Sequence, residues 1–217
     1  MDKNILELAL DFARESFKND FSGHDFAHTY RVFQLTGTIG NMEGMAETEL
    51  RIAKLAAILH DVDDFKLFGG TFGQYERAEA FLTRNGATPE ETRRICAIIS
   101  EISFKGTDSQ TPETLEGKVV QDADRLDAIG AIGIGRAFAY GGSKGRKMFD
   151  PEEKPKFGMN AEEYARNQGS TINHFYEKLL LLKEMMNTPS AKKLAEKRHQ
   201  FMNLFLDEFI AEWNGER

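Results

Sequence analysis

The sequence predicts an all-α protein. Apolar residues recur at intervals of three and four along most of the 217 residues, as at Ile5, Ala9 and Phe12, and this is the spacing of one face of a helix. The alternation of polar and apolar residues that marks half-buried strands is nearly absent. Because 41% of the residues are hydrophobic, the chain can bury a substantial core, and we expect one domain over residues 1–217.

Capping residues mark the starts of several helices. Thr88-Pro89-Glu90-Glu91 combines an N-cap, a proline at the first helical position and a glutamate that can bond back to the cap. Asn160-Ala161-Glu162-Glu163 follows the same logic. Two further helix starts are predicted after threonines: Thr111 or Thr114, and Thr188.

The same patterns predict where helices end and loops begin. We expect one helix from Thr111 or Thr114 to about Tyr140, and two C-terminal helices within residues 161–213, the last ending near Trp213. Residues 63–73 and 141–160 contain paired glycines and lack a helical period, so both stretches are predicted to be loops.

The charge balance argues against duplex nucleic acid as a partner. The chain has 28 Lys and Arg against 35 Asp and Glu, a net charge of -7, so its overall field repels polyanions. A small phosphorylated substrate is compatible with this charge, provided that a metal ion and a few basic side chains reverse the potential locally.

Composition also predicts the compartment. The N-terminal residues lack the uninterrupted apolar run of a signal peptide, and no segment approaches the length of a membrane span. The single cysteine, Cys96, lies in an apolar run, where a buried helical thiol is expected and a disulfide framework is impossible. We therefore expect a cytoplasmic protein with no membrane partner, and the oligomeric state stays open.

Histidines supply the first candidate metal ligands. His24 and His28 are four residues apart, so on a helix they would share one face about 6 Å apart, and either could be a ligand. The strongly apolar helix predicted over residues 50–59 ends in His60-Asp61. Polar groups at the edge of a buried helix must be hydrogen-bonded or metal-bound to offset the water contacts that they lose.

Three aspartates, Asp122, Asp124 and Asp127, lie within six residues of one predicted helix. Side chains two residues apart diverge on a helix, so Asp122 and Asp124 cannot both reach one metal ion, whereas Asp124 and Asp127 share a face. One carboxylate from this segment would complete a set of two imidazoles and two carboxylates. Such a set suits divalent manganese, iron, nickel, cobalt or zinc, and suits magnesium less well.

The order of these motifs resembles the HD-domain superfamily of metal-dependent phosphohydrolases. His28, then His60-Asp61, then Ala123-Asp124-Arg125-Leu126 follow the family pattern of a histidine, an adjacent His-Asp and a distant aspartate. The resemblance covers about residues 20–140. The longer strings around residues 60–64 and 122–130 are similar to small stand-alone bacterial HD hydrolases.

The resemblance implies a helical bundle of the HD type with additional C-terminal helices. It implies one divalent metal ion held by His28, His60, Asp61 and Asp124, with Asp124 favoured over Asp122. The metal would activate a water molecule that attacks phosphorus, so the expected reaction is hydrolysis of a phosphate ester or anhydride, with a nucleotide as the expected substrate.

Residues beside the ligands are candidates for catalysis and substrate binding. Asp64 is the candidate for orienting or deprotonating the water, and Asp61 and Lys66 are expected to act with it. His24 has three interpretations: it donates a hydrogen bond to the substrate phosphate, it supports one of the metal ligands, or it only begins a helix. The candidate phosphate donors are the basic residues that flank the motifs: Arg31, Lys66, Arg125 and His24.

Basic residues in the last third of the sequence have alternative interpretations. His174, with Lys178 one turn later, could close over the pocket or pack as an ordinary histidine. Lys144, Arg146 and Lys147 could form a mobile lid over an anion, but a solvated loop is favoured. His199 is expected to face solvent.

Two other functions are compatible with the motifs. One is a non-catalytic sensor that binds a metal ion or nucleotide, against which the complete ligand pattern argues. The other is a di-iron oxygenase, which would have to recruit His24 and His174 from the five histidines of the chain.

Overall fold

The fold is all-α, as predicted. The computed structural model describes residues 4–18, 25–63, 75–102, 104 and 106–217, and these residues form ten α-helices and no strand. None of the described helices is both long enough and apolar enough to cross a membrane. Short 3-10 turns cover Gly106–Asp108 and Leu179–Lys183. The α-helices are α1 (Ile5–Ser16), α2 (Phe26–Met42), α3 (Glu47–Leu59), α4 (Glu76–Arg84), α5 (Pro89–Ile102), α6 (Leu115–Asp127), α7 (Gly130–Ser143), α8 (Ala161–Arg166), α9 (Thr171–Glu177) and α10 (Pro189–Trp213).

The chain groups into two compact units. The first comprises Met1–Phe104 and Gln110–Asp124, and the second comprises Lys105–Ser109 and Arg125–Arg217. Helix α6 therefore contributes most of its residues to the first unit and its last three to the second. The expectation of a single domain over residues 1–217 stays a prediction.

Helix α3 forms the centre of the first unit. Helices α1, α2 and α5 contact it. A helix covered on several sides is apolar around most of its circumference, which explains the uninterrupted apolar run before His60. The residues of α3 that are at most 1% exposed are Ala53, Leu55, Ala56, Ala57, Ile58 and Leu59.

The predicted caps are present at the starts of four helices. Thr88 Oγ1 accepts a hydrogen bond from Glu91 N at 3.2 Å, and Glu91 Oε2 accepts one from Thr88 N at 2.9 Å. Asn160 caps α8, because its side chain accepts a hydrogen bond from the Glu163 amide and the Glu163 side chain accepts one from the Asn160 amide. Thr188 caps α10, which has a proline in its first turn. Of the two candidates before α6, Thr114 accepts a bond from the backbone amide three residues later at 3.1 Å.

The prediction of one helix from Thr114 to about Tyr140 is wrong. The chain turns between α6 and α7, and α7 begins at Gly130 with a φ of +75°, a left-handed conformation that favours glycine. A Cβ atom at this position would lie 3.0 Å from Cβ and Cγ of Arg198. The turn therefore depends both on backbone conformation and on the close approach of α10.

Replacing Gly130 by alanine is expected to lower the free energy of unfolding by about 1–3 kcal/mol, because the left-handed backbone disfavours a Cβ and Arg198 must move. Gly135→Ala is the matched control, since a Cβ atom there meets nothing within 4 Å and alanine favours a helix by about 1 kcal/mol over glycine. Urea denaturation measures both variants. Equal stability of the two variants would contradict the strained turn.

Aromatic side chains build the core of the second unit. Phe138 of α7, Phe175 of α9, and Phe205 and Phe209 of α10 contact one another with ring centroids 5.8 to 6.1 Å apart. The prediction of two helices in residues 161–213 is corrected to three helices and a 3-10 turn. The additional breaks allow α9 to pack beside α7 and α10.

Residues 144–160 form no helix, as predicted, although α7 extends into the predicted loop as far as Ser143. The carbonyls of Lys147 and Met148 accept hydrogen bonds of 2.9 and 3.0 Å from the backbone amides of Thr171 and Ile172. Glu153 Oε2 accepts another from the Ser170 amide at 2.9 Å. These bonds tie the segment to α9 and argue against a mobile lid.

Candidate metal centre

An N-cap positions His28. The carboxylate of Asp25 accepts a hydrogen bond of 2.8 Å from the His28 amide and caps α2, which satisfies one of the amides that a helix leaves unbonded at its start. Helix α2 therefore begins at Phe26, and His28 lies in its first turn. The His28 side chain is fully buried.

His60 and Asp61 lie at the end of α3, where the buried helix stops. His60 Nδ1 is 2.9 Å from the carbonyl of Ala57, so Nδ1 donates its proton there and Nε2 is the ring nitrogen on the side of Asp61 and Asp124. The side chains of His60 and Asp61 are 5% and 11% exposed. A local hydrogen bond thus orients the imidazole toward the neighbouring acids.

The donor atoms of four predicted ligands converge in the first unit. His28 Nε2 lies 3.6 Å from Asp61 Oδ2 and 3.4 Å from Asp124 Oδ1. His60 Nε2 lies 3.2 Å from Asp61 Oδ2 and 3.9 Å from Asp124 Oδ1. Within the described residues, His28, His60 and Asp124 form the group whose donor atoms all lie within 4.8 Å of one another, and Asp61 contacts both imidazoles.

These separations fit a divalent metal ion. Bonds of about 2.0–2.2 Å from an ion to its ligands place neighbouring ligand atoms about 3.0–3.4 Å apart in tetrahedral or octahedral geometry. The four observed separations run from 3.2 to 3.9 Å. Small side-chain movements would therefore bring all four donor atoms within bonding distance of one ion. Two imidazole nitrogens with carboxylate oxygens are a donor set that first-row divalent ions accept.

Electrostatics also favour positive charge at this centre. Burial by itself would lower the pKa of His60, but the carboxylates of Asp61 and Asp124 raise it to about 9. Both acids therefore stabilise a cation beside His60 Nε2. Asp124 is the most exposed of the four predicted ligands, with 27% of its side chain accessible, so solvent reaches the cluster at this carboxylate.

The three aspartates of α6 lie in different surroundings. Asp124 faces the two imidazoles, whereas Asp122 is fully buried. Asp127 Oδ2 accepts a hydrogen bond from Arg136 Nη1 at 3.0 Å within the second unit. The geometry brings the Asp124 carboxylate to the two imidazoles, and the pairing with Arg136 accounts for Asp127. The choice of Asp124 over Asp122 as a metal ligand stays a prediction.

The predicted phosphate-binding residues are only partly described. Arg31 lies on α2, three residues after His28, and is partly buried. Arg125 is 5% exposed and donates from Nη1 to the carbonyl of Met185, which gives it a structural contact within the second unit. Phosphate binding by either arginine stays a prediction. The remaining candidates lie outside the described residues, and their roles also stay predictions: His24, Asp64 and Lys66.

A pair of residues that the sequence analysis missed holds the turn after the His-Asp pair. Asp63 accepts hydrogen bonds of 2.9 Å from the backbone amides of Arg77 and Ala78 and so caps α4. The Arg77 guanidinium donates to the carbonyl of Val62 at 2.8 Å and to Ser16 Oγ at 2.9 Å. The turn is therefore bonded to both α1 and α4.

Arg77→Met is expected to loosen this turn. Methionine can keep the apolar contact with Phe12, whose ring centre is 5.7 Å from the guanidinium carbon, but it removes both donated hydrogen bonds. We expect the free energy of unfolding to fall by about 1–3 kcal/mol and divalent-ion binding to weaken. Urea denaturation and manganese titration measure these effects. Arg84→Met, at the exposed end of the same helix, is the control, and equal effects in both variants would contradict the role of Arg77.

The histidines of the second unit lie in other environments. Burial, Lys178 and Arg146 together lower the pKa of His174 to about 3, so its ring is neutral near pH 7. His199, which was expected to face solvent, is partly buried.

Comparison with known proteins places this centre in a family. The family profile of the HD domain matches residues 25–129, which contain all four donor residues. The Bacillus subtilis protein YpgQ is 40% identical over 190 residues, which cover 87% of this chain and 83% of YpgQ. The chain belongs to the HD-domain family. The predicted resemblance is therefore confirmed.

Solved structures of related proteins share the fold over nearly the whole chain. A Lactobacillus plantarum protein is 39% identical with a TM-score of 0.87, and the match covers 99% of each chain. An HD-superfamily hydrolase from Bacillus thuringiensis is 39% identical with a TM-score of 0.73 over 96% of each chain. The structure of YpgQ in complex with ADP matches this chain with a TM-score of 0.74, and this structural match covers 95% of this chain and 97% of YpgQ at 34% identity.

Proposed function

We propose that this HD-domain protein is a metal-dependent phosphohydrolase that cleaves a phosphate ester or anhydride of a nucleotide. The observation that carries the proposal is the convergence of His28, His60, Asp61 and Asp124 on one point. Two relatives support it, since one is described as an HD-superfamily hydrolase and another was solved with ADP.

We assign these four residues as the ligands of one divalent ion, with manganese as the first ion to test. When bound, such an ion lowers the pKa of a water molecule and neutralises charge on phosphate oxygens. The buried His28 and the hydrogen-bonded His60 hold their ring nitrogens in place, so little reorganisation accompanies binding. Asp124, where solvent reaches the cluster, marks the direction from which a phosphate group would approach.

Charge explains why substrate binding would depend on the metal ion. Asp61 and Asp124 bring two negative charges to the centre, and the whole chain has a net charge of -7, so a phosphate group is repelled by the protein alone. A divalent ion would cancel the two carboxylate charges. We therefore expect substrate affinity, as well as turnover, to require the ion.

The other roles in the proposal rest on the motif resemblance. We assign Asp64 to orienting or deprotonating the attacking water and Lys66 to the reacting phosphate. Arg31, Arg125 and His24 complete the set of proposed phosphate donors.

Metal removal and restoration test the proposal. Release of phosphate and pyrophosphate is measured from a panel of nucleotides and sugar phosphates after treatment with a chelator, and again after manganese, magnesium, nickel or zinc is restored. We expect no turnover without metal and recovery with at least one ion, and the released group identifies the bond that is cleaved. A bound ion without turnover of any compound would favour a sensor, and two ions per chain would favour the oxygenase alternative.

A further inference from the structure

Gln121 is a fully buried polar side chain on α6, three residues before the proposed ligand Asp124. Its amide nitrogen donates hydrogen bonds of 2.8 Å to the carbonyl of Glu101 and 2.9 Å to the carbonyl of Gln110. Carbonyl oxygens only accept hydrogen bonds, so the nitrogen end of the side chain faces them and both of its N–H groups are used. Gln121 therefore fixes α6 to two points of the neighbouring backbone.

The Glu101 carbonyl lies in the last turn of α5. The last carbonyls of a helix have no partner within the helix and take donors from elsewhere, and Gln121 supplies one. Nearer the start of α6, Glu116 forms an ion pair with Arg94 of α5, and the Glu116 side chain is 8% exposed. Side-chain contacts thus join α5 and α6 at two levels. Along α6, Gln121 lies much closer to Asp124 than Glu116 does.

Helix α5 is itself fixed to α3, which leads into His60. The two helices are in contact, and Arg51 of α3 forms an ion pair with Glu91 near the start of α5. At the other end, Gln121 bonds to the last turn of α5. Three residues later, Asp124 Oδ1 lies 3.9 Å from Nε2 of His60, which directly follows α3. Helices α3 and α5 therefore lie side by side in the same direction, and α6 bridges their ends.

We propose that Gln121 is a positioning residue, which holds the Asp124 carboxylate opposite His28 and His60. The role rests on the proposed metal-ligand set, of which Gln121 is not a member. Sliding α6 by one residue would move Asp124 by about 1.5 Å, whereas metal–ligand distances tolerate only about 0.2 Å. Because 27% of the Asp124 side chain is exposed, packing around the carboxylate holds it only in part. The position of the helix, which Gln121 fixes, supplies the rest.

Binding of divalent ions by Gln121→Met tests this role. Methionine keeps the length of the side chain and removes both donated N–H groups. We expect the affinity for manganese to fall about tenfold or more. The visible absorption of bound cobalt should also change, because it reports the geometry of the ligands.

Glu116→Gln is the matched control, since it weakens the ion pair with Arg94 that joins the same two helices two turns away from Asp124. It should lower the urea midpoint of unfolding but leave the manganese affinity and the cobalt spectrum unchanged. Gln121→Asn keeps both N–H groups on a side chain one methylene shorter. It should weaken manganese binding less than Gln121→Met does, and it provides the same comparison if the methionine variant does not fold.

A double-mutant cycle shows whether Gln121 acts through Asp124. In the Asp124→Asn background, Gln121→Met should cause little further loss of manganese affinity, whereas its effect on the urea midpoint should persist. Circular dichroism checks the fold of each variant.

Three results would overturn the positioning role and leave the proposed function intact. They are wild-type manganese affinity in the folded Gln121→Met chain, equal losses of affinity in Gln121→Met and Glu116→Gln, and full additivity with Asp124→Asn. A wild-type chain that binds no divalent ion would instead overturn the ligand assignment, and the positioning role with it.

Discussion

Asp61→Ala is expected to lower kcat/KM by about a thousandfold or more, since stabilisation by a metal ion amounts to several kcal/mol and each 1.4 kcal/mol is about tenfold in rate. Asp61 Oδ2 lies 3.6 Å from His28 Nε2 and 3.2 Å from His60 Nε2. Its carboxylate is thus in contact with both imidazoles at under 3.7 Å. Removing it takes away one proposed ligand and half of the negative charge that attracts the ion.

Metal content and turnover are measured together for this variant. Asp207→Ala, an exposed aspartate of α10, is the control and should retain wild-type metal content and rate. Circular dichroism establishes that the Asp61→Ala chain is folded. Wild-type turnover in that folded variant would remove both the ligand assignment and the proposed hydrolysis.

Two substitutions on α6 should affect different properties, one the metal affinity and the other the stability. Asp124→Asn is expected to weaken metal binding by about a hundredfold or more, because even residues that only support a ligand cost about 10- to 100-fold. Its stability without metal should change little, since Asp124 is partly exposed. Asp127→Asn should leave the metal affinity unchanged but lower the free energy of unfolding by about 1–3 kcal/mol, because Asp127 is 1% exposed and bonded to Arg136.

Manganese titration and urea denaturation of both variants provide the comparison. The two positions are three residues apart on one helix and carry the same substitution, so each serves as the control for the other. Loss of metal affinity in Asp127→Asn, or unchanged affinity in Asp124→Asn, would show that the wrong carboxylate has been assigned.

Much of the helical structure can be read from local sequence, because capping is a local interaction. Thr88 with Glu91, and Thr188 before Pro189, satisfy backbone amides within three residues of themselves, so the sequence contains both partners of each bond. The break before Gly130 could not be read in this way. Glycine is tolerated within helices, and only the structure shows that this glycine has a φ of +75° and lies against Arg198.

The candidate site also has a part that the sequence predicted and a part that it did not. The order of the motifs, through its resemblance to the HD-domain family, predicted the donor set before any distance was known. Asp63 and Arg77 were missed because residues fourteen positions apart, on different elements, have no spacing rule that pairs them.

What the sequence determined by itself is the all-α class and most helix starts, since these follow from periodicity and short-range hydrogen bonds, whereas the candidate ligands follow from the resemblance of the motifs to the HD-domain family. Only the tertiary structure showed that the Asp124 carboxylate lies beside His28 and His60, and that Asp127 pairs with Arg136. The physical reason is that a helix directs neighbouring side chains to different sides, and which side meets the histidines depends on how the helices pack.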